Sequence, residues 1–197
     1  MDRPGRVIEA LDARLPDSGW IVDVGAGDGF TAERLSTRDR RLLAVEPATE
    51  MIRPDRQLSW VQAEAALLPF ETASLDAAYA TWAYFFSRGF DPSPGLRELH
   101  RVVKPGGPLL IVENLGSDEF TAMAPSDITA DRAFWDRRGF DCTAIDTVFE
   151  FDDLDEARTL LSFYFGEETR SDVTNPIEFR VGLFSDKSRG PGSETTS

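Results

Sequence analysis

The first strong signal in the pattern of apolar and polar positions is a short, largely apolar run at residues 20–24. A run of this length indicates a buried strand. Glycines follow at positions 25, 27 and 29, and residues 31–35 have the character of a helix start. A strand, a glycine turn and a helix in succession form the first unit of a nucleotide-binding α/β sheet.

The rest of the pattern predicts six more strands with helices between them. Apolar runs or alternating apolar positions place these strands at residues 41–45, 58–63, 75–81, 108–113, 140–151 and 177–184. Helical spacing, caps and glycine stops place helices at residues 2–15, 93–103, 126–138 and 153–166. Residues 115–125 combine glycine, serine and proline, which predicts a loop. Strands that alternate with helices predict an α/β fold with a largely parallel sheet.

The glycine turn and the acid after the second strand point to a bound ligand. The turn is spaced Gly-x-Gly-x-Gly, one residue shorter than the dinucleotide fingerprint, and it carries Asp28, which would repel a phosphate. The alternative is a tight turn without a ligand. Glu46 ends the second strand, where an acid can accept the ribose hydroxyls of an adenosine ligand. Residues 46–51 also have the features of a helix start, which gives Glu46 a second interpretation as a helix-capping acid.

Composition narrows the classes of protein to consider. The 197 residues are enough for one domain, which we expect at 1–187, with a disordered tail at 188–197. The net charge of −14 argues against nucleic acid and anionic membrane surfaces as partners. A single cysteine, Cys142, precludes an intramolecular disulfide and suits a reducing, cytoplasmic location. No run has membrane-spanning length, and the first residues lack the apolar core of a signal peptide.

Five stretches resemble class I S-adenosylmethionine (SAM) dependent methyltransferases of the small-molecule type. They are Val22-Asp23-Val24-Gly25-Ala26-Gly27-Asp28-Gly29, Glu46, Ala63-Glu64 before Leu68-Pro69-Phe70, Leu75-Asp76-Ala77-Ala78, and Glu98-Leu99-His100-Arg101-Val102-Val103-Lys104-Pro105-Gly106-Gly107. They cover about half of the chain, from Ile21 to Asn114. The resemblance implies a doubly wound, mostly parallel sheet of seven strands, with helices on both faces. Its last strand would lie antiparallel beside the fifth.

The resemblance also implies roles for single residues in binding S-adenosyl-L-methionine, whose product after transfer is S-adenosyl-L-homocysteine. The loop would wrap the methionine part of the cofactor, two acids would receive the ribose and the adenine amino group, and apolar and backbone contacts would complete the site. The cofactor-binding positions implied are Asp23, Gly25, Ala26, Gly27, Glu46, Met51, Glu64, Ala65 and Thr81. Within this set, the resemblance implies that Asp23 would organise the loop and the amino group, Glu46 would bind the ribose, and Met51 would contact adenine.

The acceptor side is less specific, and its catalytic residues are open. Candidates for catalysis are Tyr84, Glu113 and Asn114, and candidates for acceptor contact are Tyr84, Phe86, Phe120 and Met123. Phe120 and Met123 have the alternative interpretation of filling a gap in the core. The only histidine, His100, lies on a helix away from the carboxyl ends of the strands, so we expect no catalytic role for it. No residues have metal-ligand spacing, so no metal is expected.

Three functions of different classes are compatible with this pattern. The leading hypothesis is in-line SN2 transfer of a methyl group from SAM to a small organic acceptor, in which the protein mainly aligns the reacting atoms. The alternative is a SAM-binding module or partner subunit without its own transfer activity. A nicotinamide-dependent oxidoreductase is the third, and the glycine spacing argues against it. The acceptor, the atom methylated and the oligomeric state are not specified by these residues.

Overall fold

The computed structural model describes residues 5–83, 91–124, 127–166 and 173–191, and it shows a seven-stranded sheet in the order β3-β2-β1-β4-β5-β7-β6. The strands are β1 Gly19–Val24, β2 Arg40–Val45, β3 Ser59–Val61, β4 Ala77–Thr81, β5 Pro108–Asn114, β6 Asp141–Phe149 and β7 Ile177–Lys187. The helices are α1 Arg6–Asp12, α2 Phe30–Leu35, α3 Ser93–Val102, α4 Glu119–Ala122, α5 Arg132–Arg137 and α6 Leu154–Phe165.

Strand directions confirm the predicted fold class. The strands from β3 through β5 pair in parallel, and β7 pairs antiparallel with both β5 and β6. From β1 the chain adds β2 and β3 on one side of the sheet and then returns to add β4 and β5 on the other side. The strand order therefore reverses between the paired strands β1 and β4. In open α/β sheets, ligands bind outside the carboxyl ends of the strands at such a reversal.

Helices cover both faces of the sheet, which is why its central strands are apolar almost throughout. Successive side chains in a strand point to opposite faces. Ile21 and Tyr79 therefore pack in one buried cluster, together with Leu11 of α1. Val22 packs in the other cluster, with Leu99 of α3. Parallel strands buried on both sides lose the polar alternation that a solvent-facing sheet would show.

Several predicted boundaries differ from the structure. The predicted helix at 126–138 is shorter, because Asp131 caps α5 through the backbone N–H of Phe134 at 3.1 Å. Residues 46–51 form turns instead of a helix. The predicted loop at 115–125 contains α4, whose first turn is capped by Asp118, with 2.8 Å between its Oδ1 and the nitrogen of Thr121.

Residues just past the predicted boundary between domain and tail at residue 187 are packed against the domain. Ser188 is 3% exposed, and its hydroxyl donates a hydrogen bond of 2.9 Å to the carbonyl of Val103. Its backbone also pairs with the turn before β5, through Gly106 and Gly107. A polar hydroxyl can be buried here because backbone carbonyls accept from it. The packed chain therefore continues past Lys187, and residues 192–197 of the predicted tail lie outside the described residues.

Candidate functional site

The glycine loop leaves the end of β1 in a conformation that only glycine adopts without strain. The φ angles of Gly25, Gly27 and Gly29 are +74°, +56° and +80°. The loop stays attached to β2, because the nitrogens of Gly25 and Ala26 both donate to the carbonyl of Val45 at 2.9 Å. A Cβ at Gly25 would lie 2.6 Å from the Cβ of Ala83. The absence of a side chain thus lets the loop lie directly against the segment that follows β4.

Glu46 fixes the centre of this loop from the end of β2. Its side chain is 7% exposed. Oε2 accepts a hydrogen bond of 2.8 Å from the nitrogen of Gly27, and Oε1 accepts one of 2.9 Å from the nitrogen of Ala48. Each carboxylate oxygen has a second lone pair for a further donor. The carboxylate is therefore held in one orientation while it can still accept two hydroxyls.

The predicted adenine contacts lie around Glu46 with unequal exposure. Met51 is 44% exposed, and its Cε lies 3.7 Å from the Cβ position of Gly27, so it covers the loop. Glu64 and Ala65 follow β3, the strand that pairs with β2. The carbonyl of Glu64 accepts a hydrogen bond of 3.0 Å from the nitrogen of Leu67, which forms a turn, and its side chain is exposed. The structure thus places the loop, Glu46, Met51 and the turn after β3 at the carboxyl ends of β1, β2 and β3.

Asp23 lies beneath the loop and is fully buried. Its Oδ2 accepts a hydrogen bond of 2.9 Å from the hydroxyl of Tyr79, and its Oδ1 has no hydrogen-bond partner among the described residues. Burial raises the pKa of Asp23 to about 7; the Tyr79 hydrogen bond opposes this shift, and the negative charge of Glu46 adds to it. A buried acid with an unmatched oxygen favours a cationic group nearby.

These acids fit SAM better than a nucleotide phosphate. SAM carries a positively charged sulfonium and an ammonium group, whereas a pyrophosphate needs cationic or N–H donors. Asp23 and Glu46 are both acidic, and Asp28 of the loop already engages Arg56, at 2.9 Å between Oδ2 and Nη2. Arg56 also pairs with Glu33. The nearby cation is thus neutralised by two acids, and the site as a whole attracts positive charge.

Tyr79 was missed as a site residue by the sequence reasoning, although a signal existed. Asp23 of β1 and Tyr79 of β4 are register partners on neighbouring parallel strands. Once the order of β1 and β4 is known, the alternation of side chains places both on the same face. The hydroxyl of Tyr79 then has to find a partner inside the core, because its side chain is fully buried. The pKa of Tyr79 is raised well above its usual range, because of burial and the adjacent Asp23.

The catalytic candidates at the end of β5 are both buried and point to opposite faces. Glu113 and Asn114 are each 1% exposed. The side-chain amide of Asn114 donates a hydrogen bond of 3.0 Å to the carbonyl of Ile128, and the backbone carbonyl of Asn114 accepts one of 2.8 Å from the nitrogen of Ala130. Asn114 therefore ties the segment before α5 to the sheet. Because consecutive residues alternate in direction, at most one of these two side chains can face a ligand above a given face.

Two of the residues predicted to contact the acceptor, Phe120 and Met123, pack against the apolar core. Phe120 lies against Phe149, Phe165 and Phe179, with ring centroids 4.4, 5.1 and 4.8 Å apart. Met123 packs against the same buried cluster. Thr81, at the end of β4, is half-buried. Tyr84 and Phe86 lie outside the described residues.

His100 lies in the last turn of α3 and is half-buried. Its Nδ1 accepts a hydrogen bond of 3.3 Å from the nitrogen of Arg189, and burial lowers the pKa of its imidazole. Arg189 follows the end of β7 that pairs with the start of β5, so this histidine lies at the amino end of β5. The glycine loop follows the carboxyl end of β1 and therefore lies at the opposite end of the parallel strands.

The described residues contain neither a metal-binding cluster nor a helix that could span a membrane. Residues 5–83, 91–124, 127–166 and 173–191 contain no group of three or more His, Cys, Asp or Glu side chains placed to hold a metal ion. Across those same ranges, none of the helices combines the length and the apolar character that crossing a membrane requires.

Known proteins resemble this chain in sequence mainly between β1 and β5. Residues 22–111 match the family described as a methyltransferase domain. The ubiquinone/menaquinone biosynthesis C-methyltransferase UbiE of Rubrivivax gelatinosus is 35% identical over 104 residues, covering 50% of this chain and 41% of that protein. The malonyl-[acyl-carrier protein] O-methyltransferase 1 of Coxiella burnetii is 32% identical over 114 residues, covering 57% of this chain and 39% of that protein.

The match to solved structures extends over almost the whole chain. The YcgJ protein from Bacillus subtilis superimposes with a TM-score of 0.60 at 21% identity, covering 94% of this chain and 97% of that one. This is a likeness of fold. The chain spans less than half the length of the two curated relatives described above. The matched domain, the methyltransferase relatives and the sheet order all support a class I S-adenosylmethionine-dependent methyltransferase.

Proposed function

We propose that this chain binds SAM at the glycine loop and catalyses transfer of its methyl group to a small-molecule acceptor. The observation that carries the proposal is the position of Glu46, whose buried carboxylate holds the nitrogen of Gly27 at 2.8 Å. This contact links the ribose-binding acid to the loop that would enclose the methionine part. The names of the curated relatives, one in quinone biosynthesis and one for a malonyl group on an acyl-carrier protein, support a small organic group as acceptor.

When bound, the cofactor would supply an electrophilic methyl carbon on a sulfonium, and an acceptor lone pair would displace the sulfur, which keeps the electron pair of the broken carbon–sulfur bond. The chain's own residues would hold the reactants in line. Glu46 would receive the ribose hydroxyls, and Met51 would lie against the adenine. Asp23 would face the ammonium group through its unmatched oxygen. The acceptor's proton would pass to solvent or to a base still to be identified.

We also propose that the protein works in the cytoplasm on dissolved acceptors, without binding nucleic acid or membrane. A net charge of −14 opposes both polyanions and anionic lipid surfaces. The lone Cys142 is half-buried on β6, and burial raises the pKa of its thiol. Such a thiol is unreactive and suits a reducing compartment.

The test is calorimetric titration with S-adenosyl-L-homocysteine and with NAD in parallel, followed by transfer from methyl-labelled SAM into a fractionated metabolite pool. We expect S-adenosyl-L-homocysteine to bind and NAD not to bind, with label appearing in a small-molecule fraction. Binding of NAD alone would contradict the cofactor assignment. Binding of S-adenosyl-L-homocysteine without label in any fraction would instead support the binding-module alternative.

A further inference from the structure

Trp82 occupies a strained position directly beside the cofactor loop. It follows Thr81, the last residue of β4, and its backbone nitrogen donates a hydrogen bond of 2.8 Å to the carbonyl of Val112 on β5. Its φ angle is +52°, a left-handed conformation that is costly for a bulky side chain. The next residue, Ala83, is the one whose Cβ approaches the position of a Cβ at Gly25. Strain of this kind at the end of a strand is concentrated at ligand sites.

The indole N–H of Trp82 is buried and lacks a hydrogen-bond acceptor among the described residues. This differs from Trp60, whose Nε1 donates a hydrogen bond of 3.1 Å to the carbonyl of Arg53. Buried indole N–H groups normally have a partner, because leaving such a donor unmatched is unfavourable. The strain and the unmatched donor occur in the same residue, and neither is needed to complete β4.

The ring of Trp82 continues into an apolar aromatic wall. It stacks on Phe179 with centroids 6.0 Å apart and planes 23° apart. Phe179 in turn stacks on Phe149, at 4.6 Å and 29°. The wall is closed from outside by Phe120 of α4, a helix of one turn that has no fully buried residue. Phe179 is 3% exposed, so a flat, neutral ring can lie against it only in the place that Phe120 occupies.

We infer that Trp82 and Phe179 form the acceptor subsite, in which the indole N–H of Trp82 donates a hydrogen bond to an oxygen of a planar aromatic acceptor. The inference rests on the proposed function, because it takes the loop beside Ala83 to hold the methyl donor. A hydroxyl or carbonyl oxygen on the acceptor satisfies the donor that the protein leaves unmatched. Phe120 moves aside as the acceptor ring takes its place against Phe179.

The probe is 2-naphthol, a planar hydroxyl compound, added to the protein saturated with S-adenosyl-L-homocysteine. The chain has four tryptophans, so a ¹⁵N-labelled sample has four indole N–H signals, which single Trp→Phe variants assign. We expect 2-naphthol to shift the Trp82 signal downfield and to leave the Trp60 signal in place. Naphthalene, which lacks the oxygen, should bind without that downfield shift.

The matched variant is Trp82→Phe, which removes the N–H and keeps an aromatic ring. It should weaken 2-naphthol binding by about tenfold and change naphthalene binding by less than about twofold. Equal affinity of Trp82→Phe and the wild type for 2-naphthol, or a naphthol shift confined to other tryptophans, would overturn the inference. Binding of S-adenosyl-L-homocysteine is measured on the same samples. If the wild type does not bind S-adenosyl-L-homocysteine, the proposed function is contradicted. If Trp82→Phe binds it as the wild type does, the variant is folded.

Discussion

The proposed cofactor side and the proposed acceptor side of this sheet are built by different physical means. On the cofactor side, hydrogen bonds from backbone groups fix the geometry. The nitrogens of Gly25 and Ala26 donate to a carbonyl of β2, and Glu46 accepts from the nitrogen of Gly27. On the acceptor side, rings from four separate segments pack on one another around Phe179. Backbone geometry of the first kind tolerates few alternatives, whereas ring packing can be repeated with many combinations of side chains.

This difference in construction agrees with the extent of the matched family domain, which ends within β5. The matched family domain covers residues 22–111, which include the loop, Glu46 and most of β5. The aromatic wall lies mainly beyond it, on α4, β6, α6 and β7. A binding site for one shared cofactor keeps its residues near in sequence, while a site for a variable acceptor is assembled from distant ones. The comparison predicts that cofactor affinity depends on few positions, all before β5.

The largest loss of cofactor affinity is expected for Gly27→Val. The φ angle of Gly27 is +56°, which a β-branched residue adopts only with strain, and its nitrogen must stay aligned with Glu46. We expect no measurable binding of S-adenosyl-L-homocysteine by calorimetry. Gly106→Val is the matched control, because Gly106 has a φ of +84° and open space around its Cβ position, but lies in the turn before β5. Tight binding by folded Gly27→Val protein would show that the loop does not enclose the cofactor.

Much of the fold could be predicted from the sequence, because its signals are local. The run at 20–24, the glycine spacing and the proline in the first turn of α3 each report on neighbouring residues. The structure confirms the seven-stranded, mostly parallel sheet that the family resemblance implied, with its last strand antiparallel beside the fifth. The helix predicted at 46–51 is absent because the carboxylate of Glu46 takes the nitrogens of Gly27 and Ala48, and the first of these partners is 19 residues away. Local helix signals carry no information about such a partner.

The acceptor side could not be predicted to the same depth. The stacking of Trp82 on Phe179 depends on β7, almost a hundred residues later in the chain. The sequence predicts that Ser188 begins a polar tail, but the carbonyls of His100 and Val103, which accept from its hydroxyl, make its burial favourable. In both cases the deciding partner is distant in sequence, so residue type alone left core and site interpretations open.

Glu46→Ala should cause the next largest loss of affinity. Two charge-assisted hydrogen bonds to a ribose would be removed, each worth ~1.5–3 kcal/mol, so binding of S-adenosyl-L-homocysteine should weaken by roughly 100-fold or more. Glu64→Ala is the comparison, since the Glu64 side chain is exposed and loses less on truncation. We expect its effect to be about tenfold or below. Titration of both variants at one ionic strength measures the ratio, and equal losses would contradict the assignment of Glu46 to the ribose.

The protonation of Asp23 should make cofactor affinity depend on pH near neutrality. Burial raises the pKa of this carboxyl to about 7 in the folded protein, from 3.8. Below pH 7 the carboxyl is increasingly neutral and attracts an ammonium group less, so affinity for S-adenosyl-L-homocysteine should fall several-fold from pH 8 to pH 6. Tyr79→Phe removes a hydrogen bond that favours the ionised form. The midpoint should therefore move to higher pH in Tyr79→Phe, and a midpoint that moves lower would contradict this reasoning.

The same group has an opposite effect on folding, which gives an independent measurement. The folded protein binds a proton at Asp23 more tightly than the unfolded chain does, so this residue lowers stability as pH rises from about 4 to about 7. The penalty is complete above the folded pKa. Asp23→Asn does not titrate, and its free energy of unfolding relative to the wild type should therefore increase between pH 5 and pH 8. A constant difference across this range would show that the pKa of Asp23 is not raised.

The smallest effect on cofactor affinity is expected for Phe120→Ala, and this variant tests whether the two sides are independent. Phe120 is half-buried against three rings, so truncation should lower the free energy of unfolding by ~1–3 kcal/mol, less than the 3–5 kcal/mol typical of fully buried phenylalanines. Phe30→Ala is the matched control on the cofactor side. Phe30 is 38% exposed on α2 and stacks only with Arg34, at 4.5 Å, among the described ring contacts, so its loss should cost at most ~0.5 kcal/mol.

Both phenylalanine variants should bind S-adenosyl-L-homocysteine within about twofold of the wild type, because neither ring contacts the loop or Glu46 through any described ring or hydrogen-bond contact. Urea unfolding measures the stability change, and titration measures the affinity. Amide hydrogen exchange at 115–124 should become faster in Phe120→Ala, because Phe120 is the main apolar attachment of α4. A tenfold loss of cofactor affinity in this variant would mean that the aromatic wall supports the loop, and the division into two independently built sides would then be wrong.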